Sequence, residues 1–250
     1  MNHMITKVIG TASTQTGSER PQFFARCALV MAVIVVLSFP VTYYLPVAAG
    51  SGKFDTLHHL HGLAFFAWFG LYVWQARLVA RGHVARHREI GLVGFALTGL
   101  MIPLGFWMAQ RGAQRRLGTM EHPYEFTYYN LVDITLFAVL MIAAVVLVTR
   151  HKEWHRRFVF VAALCLVAPA ATRWTLRIPG VDPFLLDIAA YVVMYPFLIA
   201  LALFDWRALG KLHPATLTSI ALLLPLHVSG AWIARSSWWN AFAPGLIGPP

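Results

Sequence analysis

Two histidine motifs with the spacing H-x-x-x-H-R could together hold a haem iron. The first ends in His87-Arg88 and the second in His155-Arg156, each at the start of an apolar segment. A b-type haem can be ligated by two facing imidazoles on different helices, and it needs the backbone to approach the macrocycle closely. One helical face after His87 lacks bulk, since it carries Gly91, Gly94, Thr98, Met101 and Gly105. We therefore expect His87 and His155 to form an inner haem-binding pair.

An alternative explanation of the same residues is structural. Small residues commonly let membrane helices pack closely, and a histidine near a helix end can reach the lipid headgroups together with its basic neighbours. The glycines that follow His87 would then serve only to accommodate a neighbouring helix.

Polar side chains also occur near the opposite ends of the apolar segments, where they could bind a metal ion. They are His58, His61, Asp133, Asp187 and His227. Imidazole together with carboxylate suits iron, copper or zinc. His61 and His227 could instead hold a second haem, as an outer cofactor-binding pair.

Arg173 and Gln75 complete the candidate polar network. Arg173 ends the fifth apolar segment, and Gln75 lies on the helical face that begins at His58 and His61. A charge at the centre of a bilayer costs about 2.5 to 3.5 kcal/mol on insertion scales, so intramembrane polar groups are functional candidates. The alternative is a structural triad in which Arg173 neutralises Asp133 and Asp187.

The elements that must position these residues are seven apolar segments. The chain has 250 residues, of which 58% are hydrophobic and only 12% are charged. A transmembrane helix needs about 20 apolar residues, so the composition suffices for seven spans and for no second domain. The segments cover residues 23–49, 58–80, 88–109, 128–149, 158–174, 184–205 and 215–234. We therefore predict an all-α fold, a polytopic membrane helix bundle with seven transmembrane helices.

Three parts of the chain are expected on this basis. Residues 1–22, rich in Ser, Thr, Gln and Gly, are predicted to be a disordered cytoplasmic arm. Residues 23–234 form the seven-helix transmembrane domain, and the Trp-rich residues 235–250 form an outer interfacial tail. The first apolar segment is about twice as long as the core of a signal peptide, which favours a retained helix over a cleaved one.

Lysine and arginine are distributed unequally between the two sides of these segments. With the N-terminus inside, thirteen fall on the cytoplasmic side and seven on the other, and short cytoplasmic loops are enriched in these residues. We predict a bacterial inner-membrane protein with a cytoplasmic N-terminus and a periplasmic C-terminus. Because the basic residues act as orientation signals, no nucleic-acid partner is expected.

A short internal similarity relates the second and third segments to the fourth and fifth. Residues 78–88 align with residues 147–156 with one residue gapped, which puts both H-x-x-x-H-R motifs at the inner end of a helical hairpin. The alignment predicts two parallel hairpins related by an axis along the membrane normal. Topology shared by the two hairpins, with a basic inner loop in each, explains the same match without a duplication.

Several signatures of soluble catalysis are missing from the sequence. The chain has no G-x-S-x-G, H-E-x-x-H, Walker or glycine-rich dinucleotide motif. The seventh apolar segment has no lysine, which excludes a retinal Schiff base, and Cys27 and Cys165 lack metal-binding spacing. Whether the protein is an enzyme is left open by the sequence.

Part of this pattern resembles a family of uncharacterised bacterial multi-pass membrane proteins. The resemblance covers roughly residues 55–175 and rests on His61-Gly62, Trp68, Gln75, the motif H-R-x-x-G at His87 and the motif H-x-R at His155. That family has no established activity to transfer. The placement of histidines near both faces of a helix bundle is also similar to that of two-haem, b-type membrane cytochromes, which implies haem b as the cofactor.

Two such haems would conduct electrons across the bilayer, with a quinone or another redox protein as the partner. Two alternatives remain open. One is a non-haem metal site or a small-molecule transport site in the outer leaflet. The other is a membrane assembly or scaffold protein in which the polar residues only pack helices.

Overall fold

The computed structural model describes residues 21–52, 54–176, 178–180 and 182–247, and that part of the chain is helical without a strand. The helices are α1 (Pro21–Ala48, with a π-helical turn at Pro40–Tyr44), α2 (Thr56–Ala80), α3 (Val84–Arg116), α4 (Glu125–Leu147), α5 (Lys152–Thr175), α6 (Pro183–Leu209), α7 (Pro214–Val228), α8 (Gly230–Arg235) and α9 (Ser237–Ile247). The all-α prediction is confirmed for these residues. The predicted arm, residues 1–22, lies outside the described residues apart from the two that begin α1.

Helices α1 to α6 are each apolar and long enough to cross a bilayer. Their lengths run from 23 residues in α4 to 33 residues in α3, and a span requires about 20. Because a helix satisfies its backbone hydrogen bonds internally, long apolar segments in a bilayer fold in this way. The prediction of a polytopic membrane helix bundle is confirmed at the level of these six helices.

The seventh predicted segment differs from the others because it is broken. Its first part, α7, has 15 residues, which is about 22 Å along the axis. Pro225 lies inside α7 and cannot donate a backbone hydrogen bond, and the helix ends before Ser229. The chain then continues as the six-residue α8. A Cβ at Gly230 would lie 3.2 Å from the Tyr129 ring, so the glycine lets α8 approach α4 closely.

Consecutive long helices run antiparallel, so the bundle has two ends. The α2–α3, α4–α5 and α6–α7 connections lie together at one of them, which is called the His87 end. There the ring centroids of His87 and His155 are 6.4 Å apart, and those of Trp154 and His213 are 5.8 Å apart.

The opposite end is called the Glu125 end after the first residue of α4. Here Arg115, in the last turn of α3, lies 2.8 Å from the ring nitrogen Nε2 of His58 in the first turn of α2. The indole N–H of Trp174, near the end of α5, donates to the carbonyl oxygen of Leu37 in α1 at 3.2 Å.

Helix α5 occupies the centre of the bundle. Every residue from Phe160 to Ala168 is buried, and α5 packs against α4, α6 and α7. Alanine is frequent in this stretch and beyond it, and small side chains let neighbouring membrane helices come close. Residues on α5 can therefore contact most of the other helices.

Helices α7 and α8 together follow α6 from one end of the bundle to the other. At the His87 end the hydroxyl of Thr216 donates to Asp205, and at the Glu125 end Nη2 of Arg235 lies 2.8 Å from Asp187. Asp187 and Asp205 stand near opposite ends of α6. The seventh segment thus contacts α6 near both of its ends despite its break.

A buried ion pair joins α5, α6 and the start of α7 at the His87 end. Arg157 and Asp205 are both fully buried, and Nε of Arg157 donates to Asp205 at 3.0 Å. Asp205 also accepts from the backbone N–H of His213 at 3.1 Å and from Thr216. Nη1 of Arg157 pairs with Glu153 at 2.6 Å. With its charges paired and hydrogen-bonded, this cluster is a structural clamp between three helices.

The segment predicted as an outer tail forms α9 at the Glu125 end. Trp239 is buried and its indole N–H donates to the carbonyl oxygen of Tyr124 at 2.9 Å. Its neighbour Trp238 is 62% exposed. One indole therefore anchors α9 to the start of α4, while the other faces the surroundings of the bundle, where amphipathic rings favour a membrane interface.

Candidate functional site

A cavity of about 630 Å³ lies in the half of the bundle nearer the Glu125 end, and residues from each of the helices α2 to α8 line it. Much of its wall is apolar, with Phe65, Met101, Leu166 and Leu226 among the lining residues. Four arginines, three acidic residues and two histidines also line it: Arg115, Arg116, Arg173, Arg235, Glu125, Asp133, Asp187, His61 and His227. A volume of 300 to about 1,000 Å³ with a few polar groups in an apolar wall is typical of small-molecule sites.

Five residues singled out in the sequence come together in this wall. They are His61, Asp133, Arg173, Asp187 and His227, and they lie on five different helices. The sequence placed them at similar depth, and the structure adds that they face one cavity. Their surroundings differ, and these differences decide what the cavity can bind.

Asp133 is a buried carboxyl group without a protein partner. Its exposed fraction is 9%, and it makes no hydrogen bond and no ion pair with any described residue. The next residue on α4, Ile134, packs against Gly105 of α3, where a Cβ would lie 3.0 Å from its Cδ1 atom. Close packing of α3 on α4 therefore holds Asp133 in place while its carboxyl group faces the cavity.

Arg173 is a cation without a counter-charge. Its guanidinium carbon lies 4.0 Å from the ring centroid of Phe39, a cation–π contact with α1. Within the described chain Arg173 makes no hydrogen bond or ion pair, and its Nη1 atom is buried and unpartnered. The two neighbouring acidic residues expected to neutralise it, Asp133 and Asp187, do not do so.

Asp187 is paired elsewhere, which rules out the structural triad. Its Oδ2 atom lies 2.8 Å from Arg235, and its Oδ1 atom accepts a hydrogen bond from the hydroxyl of Tyr129 at 3.0 Å. Arg235 also pairs with Glu125 at 2.7 Å. Arg235 therefore links α8 to both α4 and α6 at the edge of the cavity, and it neutralises two of the three acidic residues in the wall.

The two cavity histidines pack on different aromatic residues. His227 is 5% exposed, its ring stacks on Tyr191 at 4.6 Å, and its Nδ1 atom lies 3.3 Å from the hydroxyl of Tyr195. Its Nε2 atom is buried without a partner. The His61 ring stacks on Phe65 at 5.9 Å. Among the described residues, no ring contact joins His61 to His227.

His58 does not belong to the cavity, contrary to its assignment to the outer metal set. Its Nδ1 atom lies 2.6 Å from Asp55, the residue that caps α2, and its Nε2 atom contacts Arg115. The hydrogen bonds from His58 hold the pKa of the exposed Asp55 carboxyl below its ordinary value. Across the described ranges no three His, Cys, Asp or Glu side chains are placed to hold a metal ion.

The inner histidines do lie side by side at the His87 end. Their ring centroids are 6.4 Å apart and the ring planes are inclined by 74°. Nδ1 of His155 faces the carbonyl oxygen of Ala144 at 3.0 Å. The amide of Gln75 lies against the carbonyl oxygen and Nδ1 of His87 and reaches the backbone N of Gly91 at 3.3 Å. Gln75 thus supports the inner histidines and is remote from Arg173, with which the sequence had grouped it.

The glycine stripe on α3 is only partly open, which bears on whether a haem fits there. A Cβ at Gly94 would lie 3.5 Å from Leu71 of α2, and Gly105 is in contact with Ile134 of α4, whereas a Cβ at Gly91 would meet nothing within 4 Å. Two of the glycines therefore accommodate neighbouring helices, as in the structural alternative. The ring separation fits an iron with two axial imidazoles, each about 2 Å from the metal. Of the two glycines nearest His87, Gly91 has no close neighbour and Gly94 contacts Leu71.

Sequence reasoning missed two residues that matter most to these arrangements, Asp205 and Arg235. Asp205 is a carboxylate at the end of a predicted span, so the rule that flagged Asp133 and Asp187 would also have found it. Arg235 was counted only as an orientation signal. Its role depends on the fold, because α8 carries it to acidic residues on two other helices.

Comparison with known proteins gives this chain no relative from which a function could be read: no family model, no curated protein and no solved structure matches it. Its function is therefore argued from the site.

Proposed function

We propose that this protein is a seven-span bacterial inner-membrane protein that binds a small molecule in the cavity at the Glu125 end. The observation that carries the proposal is that Asp133, Arg173 and His227, on three helices, present polar groups without protein partners at one cavity. Buried polar groups are normally paired, and each exception calls for an explanation. A ligand supplied from the membrane or the outer side explains all three at once.

This proposal is better supported than a scaffold role for the same residues. A structural network pairs its own charges, as Arg157 and Asp205 do at the His87 end and as Arg235 does with Glu125 and Asp187. The cavity groups remain unpaired although the same fold pairs charges elsewhere. Unpaired groups around a void are the pattern of a binding or transport site.

The proposed topology rests on two observations. The contacts of Thr216 and Arg235 with opposite ends of α6 support a seventh crossing by α7 and α8 together. The excess of lysine and arginine near the connections at the His87 end supports a cytoplasmic position for that end. The N-terminus would then be cytoplasmic, and the C-terminus and the cavity would belong to the periplasmic side.

The proposed ligand site is tested by filling the cavity. Ala190 lines it on α6, and Ala190→Trp would occupy part of its volume. Ala96 is exposed on α3 and lies outside the lining, so Ala96→Trp adds the same side chain to the lipid-facing surface. We expect native mass spectrometry of the protein purified in nanodiscs to show a bound small molecule in the wild type and in Ala96→Trp, but not in Ala190→Trp. A wild type without any bound molecule, or equal occupancy in all three proteins, would contradict the proposal.

A second candidate function is redox chemistry with haem b at His87 and His155. It is favoured by their ring separation of 6.4 Å, and by the Nδ1 contact of His155 with a backbone carbonyl, which leaves Nε2 to face a metal. Haem there would exchange electrons with a quinone or another redox protein. The contact of Gly94 with Leu71 leaves less room beside His87 and counts against it, so we rank it second.

A further inference from the structure

We propose that the ligand of the cavity carries an acidic group, a carboxylate or a phosphate, which binds Arg173 and His61. This inference rests on the proposed function, because it names the chemical class of the cavity ligand. It follows from the pairing of charges inside the bundle and from what surrounds Arg173.

Arg157 and Arg235 are paired with carboxylates, and Arg173 is not. Arg157 pairs with Asp205 and Glu153. Arg235 pairs with Glu125 and Asp187. For Arg173 the structure gives a cation–π contact with Phe39 and, among the described residues, no carboxylate. A cation held away from water without a counter-charge is costly, and an anionic ligand would supply the missing charge.

The guanidinium of Arg173 has at least one nitrogen, Nη1, left for such a ligand. Phe39 covers the group from one side at 4.0 Å, and a guanidinium binds carboxylate or phosphate through N–H groups in its own plane. The contact with Phe39 therefore fixes the position of the group, while its buried Nη1 atom has no hydrogen-bond partner among the described residues. The aromatic contact positions Arg173 rather than neutralising it.

His61 supplies a second donor from α2. His61 lines the same cavity as Arg173 and lies close enough for the charge of Arg173 to act on its ring. Its ring stacks on Phe65, and none of the described residues accepts or donates a hydrogen bond at its nitrogens. A neutral imidazole offers one N–H donor, which is suited to the second oxygen of a carboxylate or phosphate.

The acidic residues of the wall do not oppose an anion at this place. Glu125 and Asp187 are both paired with Arg235. Asp133 lies near Cys165, and Arg173 is eight residues further along α5, about 12 Å along its axis. Asp133 and Arg173 thus occupy different levels of the cavity, with Arg173 nearer the end of α5.

Two further arginines stand in the wall at the end of α3. Arg115 contacts His58, and the guanidinium carbon of Arg116 lies 4.7 Å from the ring centroid of Phe126. Both line the cavity, so they add positive charge at the Glu125 end. The electrostatic potential there favours an anion over a cation.

The rest of the wall favours an apolar body for the ligand. Phe65, Met101, Leu166 and Leu226 line the cavity below Arg173, and the volume of about 630 Å³ exceeds what a free phosphate ion would fill. An acidic group joined to a mainly apolar body that also offers Asp133 a polar contact therefore matches the whole site. A lipid-derived acid and a soluble oxyanion share the same headgroup chemistry, and the test must separate them.

The test compares three probes on the full-length protein in nanodiscs: palmitate, hexadecanol of the same chain length, and inorganic phosphate. We expect palmitate to bind the wild type at least about tenfold more tightly than hexadecanol, since a charge-assisted hydrogen bond contributes about 1.5 to 3 kcal/mol and 1.4 kcal/mol is tenfold. Arg173→Gln should abolish this preference. Arg173→Lys, which keeps the charge, should retain part of it. Arg111→Gln removes an exposed arginine outside the cavity lining and should change neither affinity.

Each outcome bears on a different claim. Equal binding of palmitate and hexadecanol to the wild type, or a palmitate preference that survives in Arg173→Gln, overturns the acidic-group inference. If Ala190→Trp nevertheless blocks both probes, the cavity function stands without it. Phosphate binding that requires Arg173, without palmitate binding, identifies a soluble oxyanion as the source. Binding of none of the three probes to the wild type contradicts the inference. Should Arg173→Gln fail to fold, the comparison of the wild type with Arg173→Lys tests the inference instead. A palmitate preference that is weaker in Arg173→Lys than in the wild type supports it, and an equal preference overturns it.

Discussion

His87 and His155, from two different helical hairpins, lie with their ring centroids 6.4 Å apart and their planes inclined by 74°. Arg173, five helical turns beyond His155 on α5, lines the cavity at the opposite end. One central helix thus carries a residue of the histidine pair at one end and a residue of the candidate ligand site at the other. Substitutions at either end of α5 can therefore test the two regions separately.

The haem candidate predicts a coloured protein whose colour depends on both inner histidines. The purified wild type should show the sharp reduced-minus-oxidised absorption band of a b-type haem with two histidine ligands. His87→Ala and His155→Ala should each remove this band, because each takes away one of the two axial imidazoles. His83→Ala, in the same motif but exposed, should retain the band. If the wild type stays colourless after haem has been added to it, this candidate is refuted and the histidines have a packing role.

Asp133 should contribute to binding and little to stability. Asp133→Leu removes a carboxyl group that has no protein partner among the described residues, so it leaves no group unsatisfied. We expect loss of the bound molecule in native mass spectrometry with an almost unchanged melting temperature.

Asp187→Leu is the matched comparison, since it deprives both Arg235 and Tyr129 of a partner. We expect it to destabilise the protein by about 1 to 3 kcal/mol. If Asp133→Leu is the more destabilising of the two, the assignment of Asp133 to a ligand site is wrong.

The clamp between Arg157 and Asp205 should be the most sensitive ionic contact in the bundle. Asp205→Ala leaves the buried Arg157 without its main partner, and breaking a buried pair costs about 3 to 5 kcal/mol. The loss should appear in thermal unfolding in detergent. Arg157→Met combined with Asp205→Leu should be less destabilising than Asp205→Ala, because it removes both charges. A larger loss in the double variant would show that the charges are not the cause.

His213 should make stability depend on pH. Its Nδ1 atom accepts the backbone N–H of Ala215 at 3.1 Å and thereby caps α7, which requires the neutral ring. Burial lowers the pKa of His213, and the charge of Arg157 lowers it further. The remaining charged groups that act on it are Asp205, Glu153 and Arg156.

Because the folded state binds the proton less well than the unfolded state, stability should be full above the unfolded pKa of about 6.5 and fall as the pH drops below it. His213→Asn keeps a capping acceptor that does not titrate. Between neutral and mildly acidic pH, we expect the melting temperature of this variant to fall less than that of the wild type. Identical pH profiles for the two proteins would assign the dependence to another group.

The topology is tested with reporters at two positions. An alkaline phosphatase fused after Ile247 should be active, since this enzyme matures in the periplasm, and one inserted at Gly82, in the α2–α3 connection, should be inactive. Green fluorescent protein should give the opposite pattern. A fluorescent C-terminal fusion would mean that α7 and α8 do not complete a crossing.

The apolar runs by themselves determined that the described part of the chain is all-α and which stretches become the long helices. In a bilayer an apolar segment has no alternative to internal backbone hydrogen bonds. They also determined the level of each polar residue along its helix, because the rise per residue is constant. For this reason the amino-acid sequence alone was enough to group His61, Asp133, Arg173, Asp187 and His227 in one half of the bundle.

Partners were decided only by the tertiary structure. Successive side chains along a helix point in directions that differ by about 100° around its axis. His58 therefore faces Arg115, whereas His61, three residues later, faces the cavity. Arg173 and Asp187 lie at similar depth, yet α8 brings Arg235 to Asp187 and leaves Arg173 unpaired. The break after Pro225 and the close approach at Gly230 determine where α8 lies. Depth follows from counting along one helix, whereas pairing depends on how several helices are rotated against each other.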